Sequence, residues 1–302
     1  MRPATAPTPP NVDTPRGLAF ATSAYVLWGF LPLYLKLLDH VPVLEVIAHR
    51  VLWSVPVAGV VLILLGRTGD VVKAIKTPRM LGMACVTATL VSVNWGVYVY
   101  AIVSDRAVDG ALGYYINPLF SMFLGAILLG ERLSRPQMVA VGLAAIAVVI
   151  LFLDTSAGAP WIPLTLMTSW GFYAYFKKSL PIGPNQGFLL EVLILSIPAL
   201  AFVAWITPQG QGHFALDWPT TMLLIGCGMV TAVPLMLYAN GAKLTRLSTI
   251  AILQYIAPTM ILLQAVFVFG EELGRARMIA FPLIWAALII YTVTLVRGMR
   301  RA

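Results

Sequence analysis

The least expected residues in this sequence are charges embedded in apolar stretches. Glu45, His49 and Arg50 fall in one apolar run and Glu191 in another. Glu45 and His49 are four residues apart, so on a helix they share a face. A charge at the centre of a bilayer costs roughly 2.5–3.5 kcal/mol on insertion scales, so such residues are candidates for function. Two kinds of chemistry fit them. One is a hydrogen-bond and ion-pair lock between helices near the membrane interface, with Arg50 snorkelling toward water. The other is proton coupling, with His49 titrating near neutral pH. The lock is the preferred reading.

A second set combines aromatic faces with amides. Trp28, Asn94, Trp95, Tyr98, Tyr114, Asn117, Trp170, Tyr173, Tyr238 and Gln254 stand well inside apolar runs, as do Tyr115 and Tyr255. Trp and Tyr usually form belts at the membrane surfaces, and these sit deeper. Packing accounts for any one of them. As a set they read as the lining of a cavity, where flat apolar rings with single donors suit a small amphipathic solute. The amides of Asn94, Asn117 and Gln254 are placed to orient a carboxylate, an amine or an amide. Pro118 and Pro258 each stand mid-run. A mid-helix proline removes a backbone hydrogen bond and disfavours helix at the preceding residue, so both are read as gating hinges.

Other chemistries lack their residues. There is no GxxxxGK[ST] phosphate loop, so energy must come from a gradient. The three histidines belong to no catalytic triad, and Cys85 and Cys227 lie far apart without a CxxC. The expectation is no enzyme, no catalytic residue, no metal and no cofactor. The net charge is +8, but the basic residues are scattered between apolar runs, which speaks against nucleic acid. Of the 302 residues, 60% are hydrophobic and only 11% charged, and mean hydropathy is +0.88. Soluble domains carry roughly 25% charged residues, so a soluble fold is excluded.

The elements that must position these residues are membrane spans. A spanning helix needs about 20 mostly apolar residues. Ten runs qualify: 17–38, 44–66, 79–103, 107–129, 135–154, 159–179, 185–206, 218–241, 247–269 and 275–297. Backbone polar groups in lipid must be satisfied within the segment, so the expected fold is an all-α polytopic membrane protein. Residues 1–16 and 298–302 read as cytoplasmic tails, the first of them disordered. With both termini inside, 15 of the 20 Lys and Arg fall on the cytoplasmic side, as the positive-inside rule requires. The expected location is a cell inner membrane, with lipid and a small-molecule substrate as partners, as a monomer or weak homodimer.

The sequence also repeats itself. Tyr115-Ile116-Asn117-Pro118 matches Tyr255-Ile256-Ala257-Pro258, and Gly130-Glu131-Arg132-Leu133 matches Gly270-Glu271-Glu272-Leu273, at an offset of 140. Tyr98 matches Tyr238 at the same offset, while Trp28-Gly29-Phe30 matches Trp170-Gly171-Phe172 and His49 matches Glu191 at 142. The halves are 17–154 and 159–297, of five spans each. Five is odd, so the second half enters from the opposite side. Two inverted halves around a central cavity are an architecture of secondary transporters. A passive channel is the competing class.

These motifs carry a resemblance. Trp28-Gly29, Glu45 with His49-Arg50, Asn94-Trp95, Gly113 to Pro118, Gly130-Glu131-Arg132 and Gln254 to Pro258 resemble the drug/metabolite transporter superfamily, EamA family. Within it the chain is similar to the RarD-type branch and to ten-helix exporters of the YddG type. The resemblance implies export of small solutes, amino acids including aromatic and hydrophobic ones, by alternating access. The alternative that it implies is a proton-coupled multidrug efflux pump for chloramphenicol-like or cationic drugs.

Cysteine-accessibility labelling tests the topology. Single cysteines placed near Lys73 and Arg300 should react only from the cytoplasmic side, and those near Gly158 and Gly210 only from outside. Labelling of both groups from one side would sink the inverted arrangement.

Overall fold

The structure, a computed structural model, describes residues 14–66, 68–128, 134–153, 160–179, 183–245 and 253–299. The tails before Thr14 and after Met299, the Gly130-Glu131-Arg132 motif, loop 154–159 and the start of the ninth expected span lie outside the described residues.

All regular structure among the described residues is helical. The helices are α1 (Pro15–Lys36), α2 (Val43–Leu64), α3 (Gly69–Ile75), α4 (Pro78–Val103), α5 (Ala107–Leu128), α6 (Arg135–Leu153), α7 (Trp161–Ser179), α8 (Pro184–Ile206), α9 (Trp218–Lys243), α10 (Ile256–Phe267) and α11 (Arg275–Met299). Their starts are written locally. Thr14 accepts from the Gly17 N–H at 3.0 Å and Asp217 from the Thr220 N–H at 2.7 Å, which caps α1 and α9. Proline opens α1, α4 and α8, where its missing N–H has no partner to lose.

Seven of these helices are long and apolar enough to cross a membrane: α1, α2, α4, α6, α8, α9 and α11. The runs expected at 107–129 and 159–179 are helical over α5 and α7. The run expected at 247–269 is helical over α10, which starts only after a turn at 254–255. Helix α3 was not expected. It lies in a basic connection, buries Val71 and Ala74, and packs against α4 and α8.

The packing crosses between the two halves of the chain. Helix α1 packs on α9 and α10, and its counterpart α7 packs on α4 and α5. Helix α2 packs on α8 and α9, and α8 in turn on α4. Helices α6 and α11 pack mainly on each other. Neither half buries its faces alone. The largest apolar cluster therefore draws on both, through Leu35, Ile102, Leu112, Leu166, Leu224 and Ile284. Outward-facing Leu64, Leu153, Ile197 and Phe267 are all at least 72% exposed, as a lipid-facing surface requires.

Lipid is as apolar as leucine, so helices associate in it by close fit rather than by escape from water. Gly228 lets α9 lie directly on the backbone of Trp53 in α2. A side chain there would enter the Trp53 carbonyl. Gly59, also in α2, has open space around it. Gly228→Ala should therefore destabilise the bundle by about 1–3 kcal/mol. Gly59→Ala should be neutral, or stabilising by up to about 1 kcal/mol. Thermal unfolding in detergent, followed by size-exclusion, checks this; equal behaviour of the two variants contradicts the close approach.

Candidate functional site

Between α1, α2, α4, α5, α7, α9 and the start of α10 lies a cavity of about 110 Å³. Helix α1 contributes Tyr25, Trp28 and Leu31, α2 contributes Arg50, and α4 contributes Asn94, Trp95 and Tyr98. Helices α5 and α7 add Tyr114, Asn117 and Trp170, and α9 adds Thr231, Leu235 and Tyr238. Gln254, Ala257, Pro258 and Ile261 close the wall at α10.

Nine of the ten residues expected to meet a solute line this cavity. Tyr173 does not. Its hydroxyl donates to Glu191 at 3.1 Å, and its ring sits 5.4 Å from that of Trp170. Spacing alone could not separate Tyr173 from Trp170, because three residues along a helix keep the same face. Tyr25, Leu31, Thr231, Leu235, Ala257 and Ile261 line the cavity without having been singled out. Tyr25 had a signal, lying one turn before Trp28; the others had none.

The rings support one another. Trp28 lies 5.5 Å from Tyr25, 5.6 Å from Tyr238 and 6.4 Å from Trp170. Tyr114 lies 5.6 Å from Tyr98 and 6.5 Å from Trp170. Aromatic pairs of this kind, all but the tilted Trp28–Tyr238 edge-to-face, are worth about 0.5–1.5 kcal/mol each beyond area burial. Asn94 is a clamp more than a free donor. Its amide donates to Leu166 O at 3.1 Å and to Ser169 Oγ at 3.0 Å, and its carbonyl accepts from the Tyr114 hydroxyl at 2.9 Å. It thereby ties α4, α5 and α7 together. The Tyr98 hydroxyl, Asn117 Oδ1 and Arg50 Nη1 are buried with no partner among the described residues.

The four embedded charges do not form one lock. Arg50 does not snorkel. It is 3% exposed, its Nε donates to Thr231 at 3.0 Å, and its guanidinium lies over the Trp95 ring at 5.2 Å. The aromatic face supplies the attraction that keeps it inside. Glu45 turns instead to the segment joining α8 and α9, accepting from the His213 N–H at 2.6 Å and meeting His213 Nδ1 at 2.8 Å. The His49 ring stacks on Phe214 of the same segment at 4.9 Å, with both ring nitrogens unpartnered. Glu191 stays with Tyr173, on the α7–α8 side.

The prolines also differ. Pro118 lies inside α5 as expected. Pro258 is the third residue of α10, in its first turn and not mid-helix. The leading N–H groups of a helix have no intrahelical partner, so Pro258 costs no hydrogen bond there.

One end of the bundle is tied by charge. Lys36 pairs with Asp105, and Asp109 takes Arg106 at 2.7 Å and Arg277 at 2.9 Å. Glu271 accepts from the Ala107 and Val108 N–H groups at 2.7 and 3.0 Å, capping α5. The Gly270-Glu271 motif thus has a local meaning: Gly270 takes φ +70°, a turn open to glycine, and Glu271 swings onto the helix start. Burial pushes the Glu271 carboxyl above the ordinary range, against the pull of those two N–H groups.

The EamA-like transporter family matches the chain twice, over residues 15–153 and 157–293. Protein RarD of Streptomyces exfoliatus is 39% identical over 287 residues, covering 95% of this chain and 91% of that protein. Protein RarD of Escherichia coli K12 is 36% identical over 290 residues, covering 96% and 98%. A crystal structure 18% identical in sequence superposes with a TM-score of 0.60 over 92% of this chain and 98% of its own, a likeness of fold.

A raised carboxyl binds its proton more tightly folded than unfolded, so its contribution is complete below the unfolded value near 4.5 and is lost as pH rises. Glu271→Gln, neutral throughout, removes that dependence. The stability of the parent relative to the variant should fall as pH rises from about 4.5. A constant difference across that range, measured by thermal unfolding in detergent, would contradict it.

Proposed function

The chain belongs to the EamA-like transporter family, and from that premise we propose that it is a secondary transporter exporting small amphipathic metabolites by alternating access. Amino acids with hydrophobic or aromatic side chains head the substrate list. The observation that carries this reading is the aromatic, partly polar cavity built by helices of both halves.

The inverted two-half arrangement is supported by how repeat mates meet. Trp28 and Trp170 touch at 6.4 Å, and Tyr115 and Tyr255 stack at 6.5 Å. Residues that contact their own mates lie on a pseudo-two-fold axis. Gly29 packs against Met260, and its mate Gly171 packs against Phe120, the mate of Met260 at an offset of 140. Two halves that make equivalent contacts can exchange conformations, which opens one central site to each face in turn. In this reading the ten apolar runs are ten spans of a cell inner membrane with both termini cytoplasmic. The end tied by Asp109, Glu271 and the Glu45–His213 clasp is then the outer gate. Asn94 holds the cavity wall and the rings receive the solute.

Uptake into proteoliposomes, across a panel of amino acids with and without a pH gradient, tests the reading. One lost aromatic contact is worth on the order of 1 kcal/mol, or several-fold in affinity. Trp170→Ala should therefore weaken transport of Trp several-fold more than transport of Thr, at near-normal abundance in the membrane. Equal loss for both, with poor abundance, would make Trp170 a packing residue and remove the aromatic assignment.

A further inference from the structure

Among the cavity walls one group stands out energetically. Arg50 is a guanidinium, 3% exposed, with Nη1 buried and unpartnered. Its partners among the described residues are a neutral hydroxyl, Thr231, and an aromatic face, Trp95. Neither carries negative charge. Glu45, five residues earlier on the same helix, has both oxygens on His213. The described lining of the cavity includes no Asp or Glu. An uncompensated buried cation is expensive, and a site that keeps one is completed by an anion from elsewhere.

The surroundings sharpen this. Tyr98, 4% exposed, lines the same cavity, and its hydroxyl has no partner among the described residues, so a second donor is unspent. The repeat is also uneven in charge. At the repeat offsets, Arg50 corresponds to Val192, Trp95 to Leu235 and Asn117 to Ala257. Leu235 and Ala257 line the cavity too. The cation is therefore carried by one half only, while the other half contributes the neutral Thr231, Tyr238 and Gln254 beside Trp170, Leu235 and Ala257. No carboxylate among the described lining residues is there to receive an ammonium.

Resting on the transport reading above, we propose that Arg50 is the receptor for a carboxylate on the solute, and that the substrate class is amphipathic carboxylates whose amino group is not required. One carboxylate oxygen takes Arg50 Nη1 and the Tyr98 hydroxyl donates to the other. The apolar part lies against Trp28, Trp170 and Leu235. A charge-assisted pair of this kind sets orientation as well as affinity. Amphipathic cations are excluded by the same guanidinium.

Two matched probes decide it: indole-3-propionate, an acid without an amine, and tryptamine, an amine without an acid. Binding to the purified full-length chain is read by thermal shift, and transport by inhibition of radiolabelled L-tryptophan counterflow in proteoliposomes. Indole-3-propionate should bind and compete at least tenfold better than tryptamine. Arg50→Gln should weaken the acid about ten- to hundredfold, the range of a hydrogen bond to a charged group. It should leave tryptamine within about twofold. Arg50→Lys should recover part of the loss, because charge returns without the planar fork. Tryptamine binding as well as the acid to the unaltered chain overturns the proposal even if Arg50→Gln fails to fold. So does a thermal shift by neither probe. A thermal shift by the acid with no counterflow leaves the anion site standing and overturns the transport reading instead.

Discussion

In a bilayer, two helices gain nothing by hiding leucines from the solvent, because the solvent is hydrocarbon. What brings helices together is close backbone contact and the satisfaction of the few polar groups they carry. The rest of this structure depends on that constraint. Gly228 sets the distance between α9 and α2, and Gly241 does the same for α9 against Ala21 of α1. Asn94 fastens α4 to α5 and α7 through three hydrogen bonds to Leu166, Ser169 and Tyr114. Gln264 donates to the Gly29 carbonyl at 2.7 Å and so fastens α10 to α1. With helices held this way, the space left between them keeps its shape without being filled by side chains.

The same constraint sorts the charges. Toward one end of the bundle they are paired, across Lys36–Asp105, Arg106–Asp109–Arg277 and Glu45–His213. Each of these joins segments far apart in sequence or closes a helix start. Pairs at a water interface are individually weak, worth about 0–1 kcal/mol. A set of them can be undone and remade at modest cost, which suits the gate proposed for that end. Deeper in the bundle the rule changes, since a cation there without a counter-ion is tolerated only with a compensating partner. Trp95 supplies part of that compensation through its ring, at 5.2 Å from the guanidinium.

How much of this was legible depended on range. Helices were readable because twenty apolar residues in a row leave few alternatives, and seven of them are long and apolar enough to cross a membrane; their starts follow from caps such as Thr14 and Asp217, which act on neighbours within three residues. Much of the cavity lining was readable because rings recur at repeat positions, and one such pair, Trp28 and Trp170, meets there. Partners were not. Glu45 meets His213 across 168 residues of chain, and Arg50 meets Thr231 across 181, with nothing local to announce either. The spacing of Glu45 and His49 correctly put both on one face of α2. What occupies that face, the His213–Phe214 segment, could be known only from the fold. Tyr173 shows the converse error. It belonged by type and spacing, and one hydrogen bond to Glu191 carries it away from the cavity.

Repetition and departure from repetition do different work in this molecule. Equivalent contacts, such as Gly29 on Met260 and Gly171 on Phe120, make the two halves mechanically alike, which is what an exchange of conformations needs. Recognition needs the opposite. A perfectly symmetric cavity would present the same group on both walls and could not orient a solute with two unlike ends. Here the rings that cross the axis are shared, with Trp28 facing Trp170. The cation belongs to one half: Arg50, Asn117 and Trp95 stand where the other half has Val192, Ala257 and Leu235, and that other half supplies the neutral Thr231, Tyr238 and Gln254. A cation on one side only, in the transport reading proposed above, gives the cavity a direction. The buried guanidinium is held there by the Trp95 ring and the Thr231 hydroxyl, and a second donor in the same cavity, the Tyr98 hydroxyl, adds to its demand for an acceptor.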